Sequence, residues 1–214
     1  MSRERPILFS AAMVRALLAG TKTQTRRAVK PQPEVSEQGN LCGEWLSRPL
    51  GGLLLPKVSD IAMHCPYGNP GDRLYVREAF SGPHCMDAAE GCAAVQPSKW
   101  GESSRIWYWA DGNPNEGDWT RPRPGIHMPR WASRIILEVT AIRVERLQDI
   151  SEVDARAEGA RECDPVSGRE VLLAGPSQRG SFVLHYRDIW ETINGAGSWD
   201  ANPWVWVVEF RRTA

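Results

Sequence analysis

The stretch ASRIILEVTAIRVERL, residues 132–147, constrains this chain more than any other. It is rich in β-branched residues and contains neither glycine nor proline, so it predicts one strand rather than two. Ordinary strands run to about six residues, and a strand of this length has to bend, as it would in crossing a small barrel. A second β pattern, PWVWVVEFRR at 203–212, places Trp204, Trp206, Val208 and Phe210 on one face. Helix signals fill the interval between them. In DISEVDARAEGA, Ser151 and Asp154 match the S-x-x-[DE] cap and Gly159 closes the helix. A further helix over 181–193 carries Phe182, Tyr186, Ile189, Trp190 and Ile193 on one side and ends at Asn194-Gly195.

The N-terminal part opens with another helix. Ser10 is its N-cap, Val14, Leu17 and Leu18 form its apolar stripe, and Gly20 is its stop. After a proline- and glycine-rich segment, NPGDRLYVREAF turns at Pro70-Gly71-Asp72 into a strand, with Leu74, Val76 and Phe80 facing one way. Glu78 shares that apolar face, an anomaly for a carboxylate. RIWYWA, at 105–110, reads as a short strand inside a second loop-rich region. Mixed helix and strand order of this kind predicts an α+β fold: a small curved sheet or β-barrel with flanking helices. The expected organisation is a single domain over 1–214 with two long loop-rich insertions, at about 31–67 and 81–133.

LLAGTKTQTRR, residues 17–27, superficially suggests a phosphate-binding loop. That loop needs a glycine directly before the lysine and another five residues earlier. Thr21 stands directly before Lys22 instead, which excludes it. Lysine plus arginine equal aspartate plus glutamate at 26 each, so the chain lacks the basic excess of a general polyanion binder. Its positive charge is local: Lys22, Arg26, Arg27 and Lys30 fall within nine residues that contain no acid. No segment approaches the roughly 18 apolar residues of a membrane span, and the N-terminus lacks a signal-peptide core. The expectation is a cytoplasmic protein with no membrane partner. Five cysteines without a CxxC pair read as reduced thiols. His64, Cys65, Cys85 and Cys92 offer ligand atoms for zinc, but their spacing fits no zinc pattern, so neither a metal nor any other cofactor is expected. Ten tryptophans exceed the usual proportion and read mainly as packing residues, with base stacking as the alternative for those in the middle of the chain.

Four segments together, LLAGTKTQTRR, PGDRLYVRE, LEVTAIRVERLQDISEVDARAEG and WVWVVEFRR, resemble the ASCH family. The resemblance covers about half the chain: residues 7–30, 68–80, 134–159 and 182–211. The phrases CPYGNPGDRLYVRE and IHMPRWASRI are similar to larger ASCH-type proteins of phages and prophages. The resemblance implies a PUA-like β-barrel and an association with RNA. Small bacterial members are amidohydrolases that deacetylate N4-acetylcytidine with a lysine, a threonine and a glutamate. Their A-G-x-K-T-x-T segment corresponds to Ala19–Thr25, which carries the lysine to Lys22 and the threonine to Thr25. The glutamate, three residues after an alanine in the helix that follows the long strand, carries to Glu158.

That trio makes chemical sense in its own right. Amide hydrolysis needs an activated nucleophile, and a threonine hydroxyl is poor until a base takes its proton. A lysine can be the base when burial or neighbouring cations such as Arg26 and Arg27 lower its pKa. A carboxylate then protonates the leaving amine. Lys22 and Thr25 are three apart and would fall on opposite faces of an ideal strand, so they converge only if the chain turns after Gly20. Arg26, Arg27 and Glu78 are the expected substrate-binding residues, and a modified nucleoside or short single-stranded RNA is the expected partner. Two other functions use the same residues: a non-catalytic RNA or modified-nucleoside binding module, and a ribonuclease acting through the same basic cleft.

Overall fold

The structure, a computed structural model, describes residues 3–83, 105–117, 119–161 and 181–213. In chain order the elements are β1 (Glu4–Leu8), α1 (Ala11–Leu18), β2 (Gln24–Ala28), β3 (Glu34–Val35), β4 (Leu41–Cys42), β5 (Arg73–Arg77), β6 (Phe80–Ser81), β7 (Trp107–Tyr108), β8 (Ile136–Arg146), α2 (Glu152–Ala157), α3 (Phe182–Asn194) and β9 (Trp204–Thr213). The fold is α+β. Five strands form one mixed sheet in the order β1-β5-β8-β9-β2, with β1 parallel to β5 and the other pairs antiparallel. Among the described residues the sheet is open, with β1 and β2 as its edges, and no pairing closes it into a barrel.

The two long strands are neighbours, paired from Ile136↔Thr213 to Arg146↔Trp204. Their register shifts between Val139 and Ala141, leaving exposed Thr140 as the extra residue. This bulge explains a change of parity along β8. Leu137 and Val139 enter one core before it, and Ile142 and Val144 pack on the same core after it. Without the extra residue the second pair would face the opposite side, because strand side chains alternate.

Both faces of β9 are covered. Trp206, Val208 and Phe210 belong to a core shared with α1, Leu74 and Val76. Val205 and Val207 belong to a second core with Leu147, Tyr186 and Trp190, beneath α2 and α3. A third, smaller cluster joins Phe80, Met128 and Ala132.

The segment 31–67, expected as a loop-rich insertion, is more ordered than its composition suggests. It contains the β3–β4 hairpin and two 3₁₀ helices, Gly43–Ser47 and Val58–His64, and it sends Leu41, Trp45, Leu50 and Ile61 into the first core. Apolar residues at irregular spacing carry no periodic signal, yet they bury as well as periodic ones do. No helix among the described residues is long and apolar enough to cross a membrane.

Candidate functional site

Two glycine-closed helix ends meet at the site. Ser10 caps α1, accepting from the Met13 amide, and Gly20 ends that helix with φ +74°. The amides of Thr21 and Lys22 then donate to the Ala16 carbonyl, which turns the chain back against α2. There Lys22 forms an isolated antiparallel bridge with Glu158, and the Thr23 amide donates to the Ala157 carbonyl. Helix α2 is itself capped by Ser151, whose hydroxyl accepts from the Asp154 amide, and it finishes at Glu158-Gly159 with φ +87° at the glycine. A Cβ on Gly159 would lie 3.0 Å from the Ala16 Cβ and 3.4 Å from the Lys22 Cβ. Gly159→Ala is therefore expected to destabilise the protein by about 1–2 kcal/mol, the cost of a left-handed conformation for an L-residue. A urea melt indistinguishable from wild type would contradict this.

Lys22 has a fully buried side chain that contacts Glu158 twice. Its Nζ donates to the Glu158 carbonyl at 2.7 Å and to the Glu158 carboxylate at 2.9 Å. A carboxylate at the end of a helix is disfavoured by the macrodipole when alone. Here it is held by two cations, since Arg26 Nη1 donates to its other oxygen at 3.2 Å. Burial lowers the Lys22 pKa below the ordinary lysine value. Glu158 opposes that shift, and the positive charges of Arg27 and Arg26 add to it.

Thr25 lies on β2, paired with Val208 on β9. The required turn after Gly20 is present. Lys22 Nζ and the Arg27 guanidinium both sit 5.5 Å from the centre of the Phe9 ring. Arg27 and Thr25 share a face of β2 because they are two residues apart. No hydrogen bond joins Lys22 to Thr25, and among the described residues none holds the Thr25 hydroxyl.

A cavity of about 40 Å³ lies along the free edge of β2, lined by Thr25, Arg26, Arg27 and Glu158 and roofed by Tyr186 and Trp190 of α3. Lys22 is not in its wall but stands behind Glu158. The space holds about two or three waters, enough for an acetyl group and too little for a pyrimidine. A second pocket of about 370 Å³ adjoins it, sharing Arg27, Ala28 and Asn194.

Arg26, expected to bind substrate, lines the small cavity but is engaged in ion pairs. Its side chain is fully buried, and its guanidinium is spent on Glu145, Asp154 and Glu158. Arg143 continues the network to Glu145, Asp154 and Glu209. Burial pushes the Asp154 carboxyl up, but Arg26 and Arg143 outweigh it and hold the group below the usual aspartate range. Arg26 and Arg143 both stand opposite Val207 in the β2–β9–β8 register, which puts them on the same sheet face. The network thus fastens α2, and with it Glu158, to three strands.

Glu78 is buried but absent from both pocket walls. Its carboxylate accepts from Arg134 at 2.9 and 3.1 Å, and Arg134 also binds Asp111 and stacks on Tyr108. This ion pair explains how an acid occupies the apolar face: it anchors the 3₁₀ turn at Trp109–Asp111 to β5.

Sequence reasoning placed Tyr186 in a core stripe and missed its hydroxyl. Tyr186 lines the small cavity, and burial together with the nearby Glu158 charge raises its pKa well above the ordinary value, so it remains a proton donor. Its i, i+4 spacing to Trp190 looks the same in a core and in a cavity roof, so no signal distinguished them.

Of the zinc candidates, Cys85 and Cys92 lie outside the described residues, as does Cys163. His64 Nε2 is 2.8 Å from the Pro49 carbonyl, and burial pushes the Cys65 thiol up to about 11, away from the thiolate a metal needs. No group of three or more His, Cys, Asp or Glu among the described residues is placed to hold a metal ion. Comparison of the chain with family models, curated proteins and solved structures finds no match to any of them.

Proposed function

We propose that the protein is an ASCH-type amidohydrolase that removes the acyl group from an acylated nucleoside amide such as N4-acetylcytidine, with its five-stranded sheet as the counterpart of a PUA-like barrel. The observation that carries this reading is the buried Lys22–Glu158 pair together with the Thr25 hydroxyl, which no described residue holds, Glu158 and Thr25 both lining a cavity of acyl size. One proton shared within the pair supplies both catalytic forms. With the amine neutral and the carboxyl protonated, Lys22 accepts the Thr25 proton as Oγ1 bonds to the acyl carbon. The carbonyl becomes an oxyanion, for which the Tyr186 hydroxyl is the available donor. Glu158 then protonates N4 as the C–N bond breaks, releasing cytidine and leaving the acyl group on Thr25. In the second half, the Glu158 carboxylate takes a proton from water, whose oxygen attacks the acyl carbon. Lys22 returns its proton to the threonine oxygen, acetic acid departs with the second proton of the water, and the pair regains its starting state.

The test is turnover of N4-acetylcytidine, read by chromatography, across pH. Activity is expected to form a plateau while the pair holds one proton, with limbs that belong to the pair and not to either residue. The alkaline limb should fall below the ordinary lysine value of 10.5, because burial lowers the Lys22 pKa. A limb above that value would remove the buried pair from the mechanism. A second reading, a non-catalytic binder of modified nucleosides or RNA, is favoured by one observation: both Nζ contacts go to Glu158 and none to Thr25. Binding of N4-acetylcytidine without product would select it. Cleavage of an RNA oligonucleotide instead would select a ribonuclease.

A further inference from the structure

The larger pocket has a chemistry of its own, contributed mainly by the segment 31–67. Trp45, Arg48, His64 and Tyr67 come from that segment and line the pocket with Arg27 of β2 and Lys30 just beyond it. No aspartate or glutamate lines it, whereas Arg27, Lys30 and Arg48 give it three positive charges in a chain of zero net charge. Two of these cations have little to neutralise them. Lys30 is exposed and makes no ion pair among the described residues. The Arg48 guanidinium carbon lies over the Trp45 ring, 4.1 Å from its centre, and its contact with a carboxylate is a long one, 3.9 Å to Glu44. Stacking of this kind orients a guanidinium while leaving its edge free for an anion. Trp45 is itself fixed, its indole nitrogen donating to the Pro31 carbonyl and its ring set edge-on to Trp206.

From these features we infer that the pocket between β2 and the segment 31–67 binds the 5′-phosphate of a cytidine nucleotide, held by Lys30 and Arg48. The inference deepens the proposed activity and rests on it for the orientation of the ligand. With the acyl group in the small cavity by Thr25, the base passes the shared wall of Arg27, Ala28 and Asn194, and the ribose and phosphate enter the larger volume. The substrate class then becomes acylated nucleotides, as monoester or as phosphodiester within RNA, rather than free nucleosides.

Calorimetric titration with cytidine and cytidine 5′-monophosphate tests the pocket without requiring turnover, so its failure is distinct from failure of the hydrolase reading. Wild type should bind the monophosphate at least about 10-fold more tightly than cytidine, with the preference shrinking as salt rises. The double variant Lys30→Ala/Arg48→Ala should lose most of that preference. Equal affinities, no binding of the monophosphate, or a preference that survives both substitutions would each overturn the inference. If the variant does not fold, by circular dichroism, the wild-type comparison and its salt dependence still decide. A dinucleotide with its phosphodiester on the 5′ side of cytidine separates the two phosphate sources. Tighter binding than the monophosphate assigns an internal RNA residue, and weaker binding assigns a free nucleotide.

Discussion

Replacing Lys22 with arginine is expected to leave a folded protein that binds N4-acetylcytidine and turns it over at least about 10²–10⁴-fold more slowly, the usual cost of losing a general base. Arginine preserves the positive charge beside Glu158 but stays protonated at any accessible pH, so it cannot accept the Thr25 proton. Thr25→Val removes the nucleophile at nearly constant volume and should lower turnover as much, with Glu158 still held by Lys22 and Arg26. The measurement is a matched set of turnover, affinity and urea melt for wild type and both variants. Retained turnover in Lys22→Arg would sink the base assignment. Retained turnover in Thr25→Val would sink the covalent route and leave water as the attacking group.

A second large effect is expected at Arg26, on stability. Arg26→Leu leaves Glu145, Asp154 and Glu158 without the buried guanidinium that joins them. Breaking a buried pair by removing one partner costs about 3–5 kcal/mol, because the remaining charge is uncompensated. Three carboxylates are left here, although Lys22 and Arg143 partly compensate them. The pH dependence identifies the cause. The Asp154 carboxyl is held below its ordinary value of 3.8 in the folded state. Its pairing therefore stabilises the protein above that value and is lost as pH falls through the lowered one. The gap between wild type and Arg26→Leu should narrow as Asp154 protonates, on going from pH 7 to below 3.8. A gap independent of pH would mean that lost packing, not charge, is responsible.

The chain's local rules were legible in its letters. Ser10, Ser151, Gly20 and Gly159 each set a helix end through a local hydrogen bond or a local backbone conformation, and each does so in the structure. The α+β class, the long β8 and the buried face of α3 followed from periodicity, which depends only on near neighbours. The candidate trio was legible in part. Gly20 fixed the need for a turn, but only the meeting of two helix ends, with no Cβ at Gly159, set the Lys22 amine 2.9 Å from Glu158. Tertiary structure alone decided which charges are spent on internal ion pairs and which border the pockets. Arg26 and Arg27 are adjacent in sequence and point to opposite faces of β2, so one is consumed by three carboxylates and the other borders both pockets. The same holds for Glu78, whose partner Arg134 is 56 residues away, and for Trp45, whose place beneath Arg48 depends on how the segment 31–67 folds back onto the sheet. A side chain's exposure and its partner depend on what the rest of the chain places opposite it, and local spacing carries no record of that.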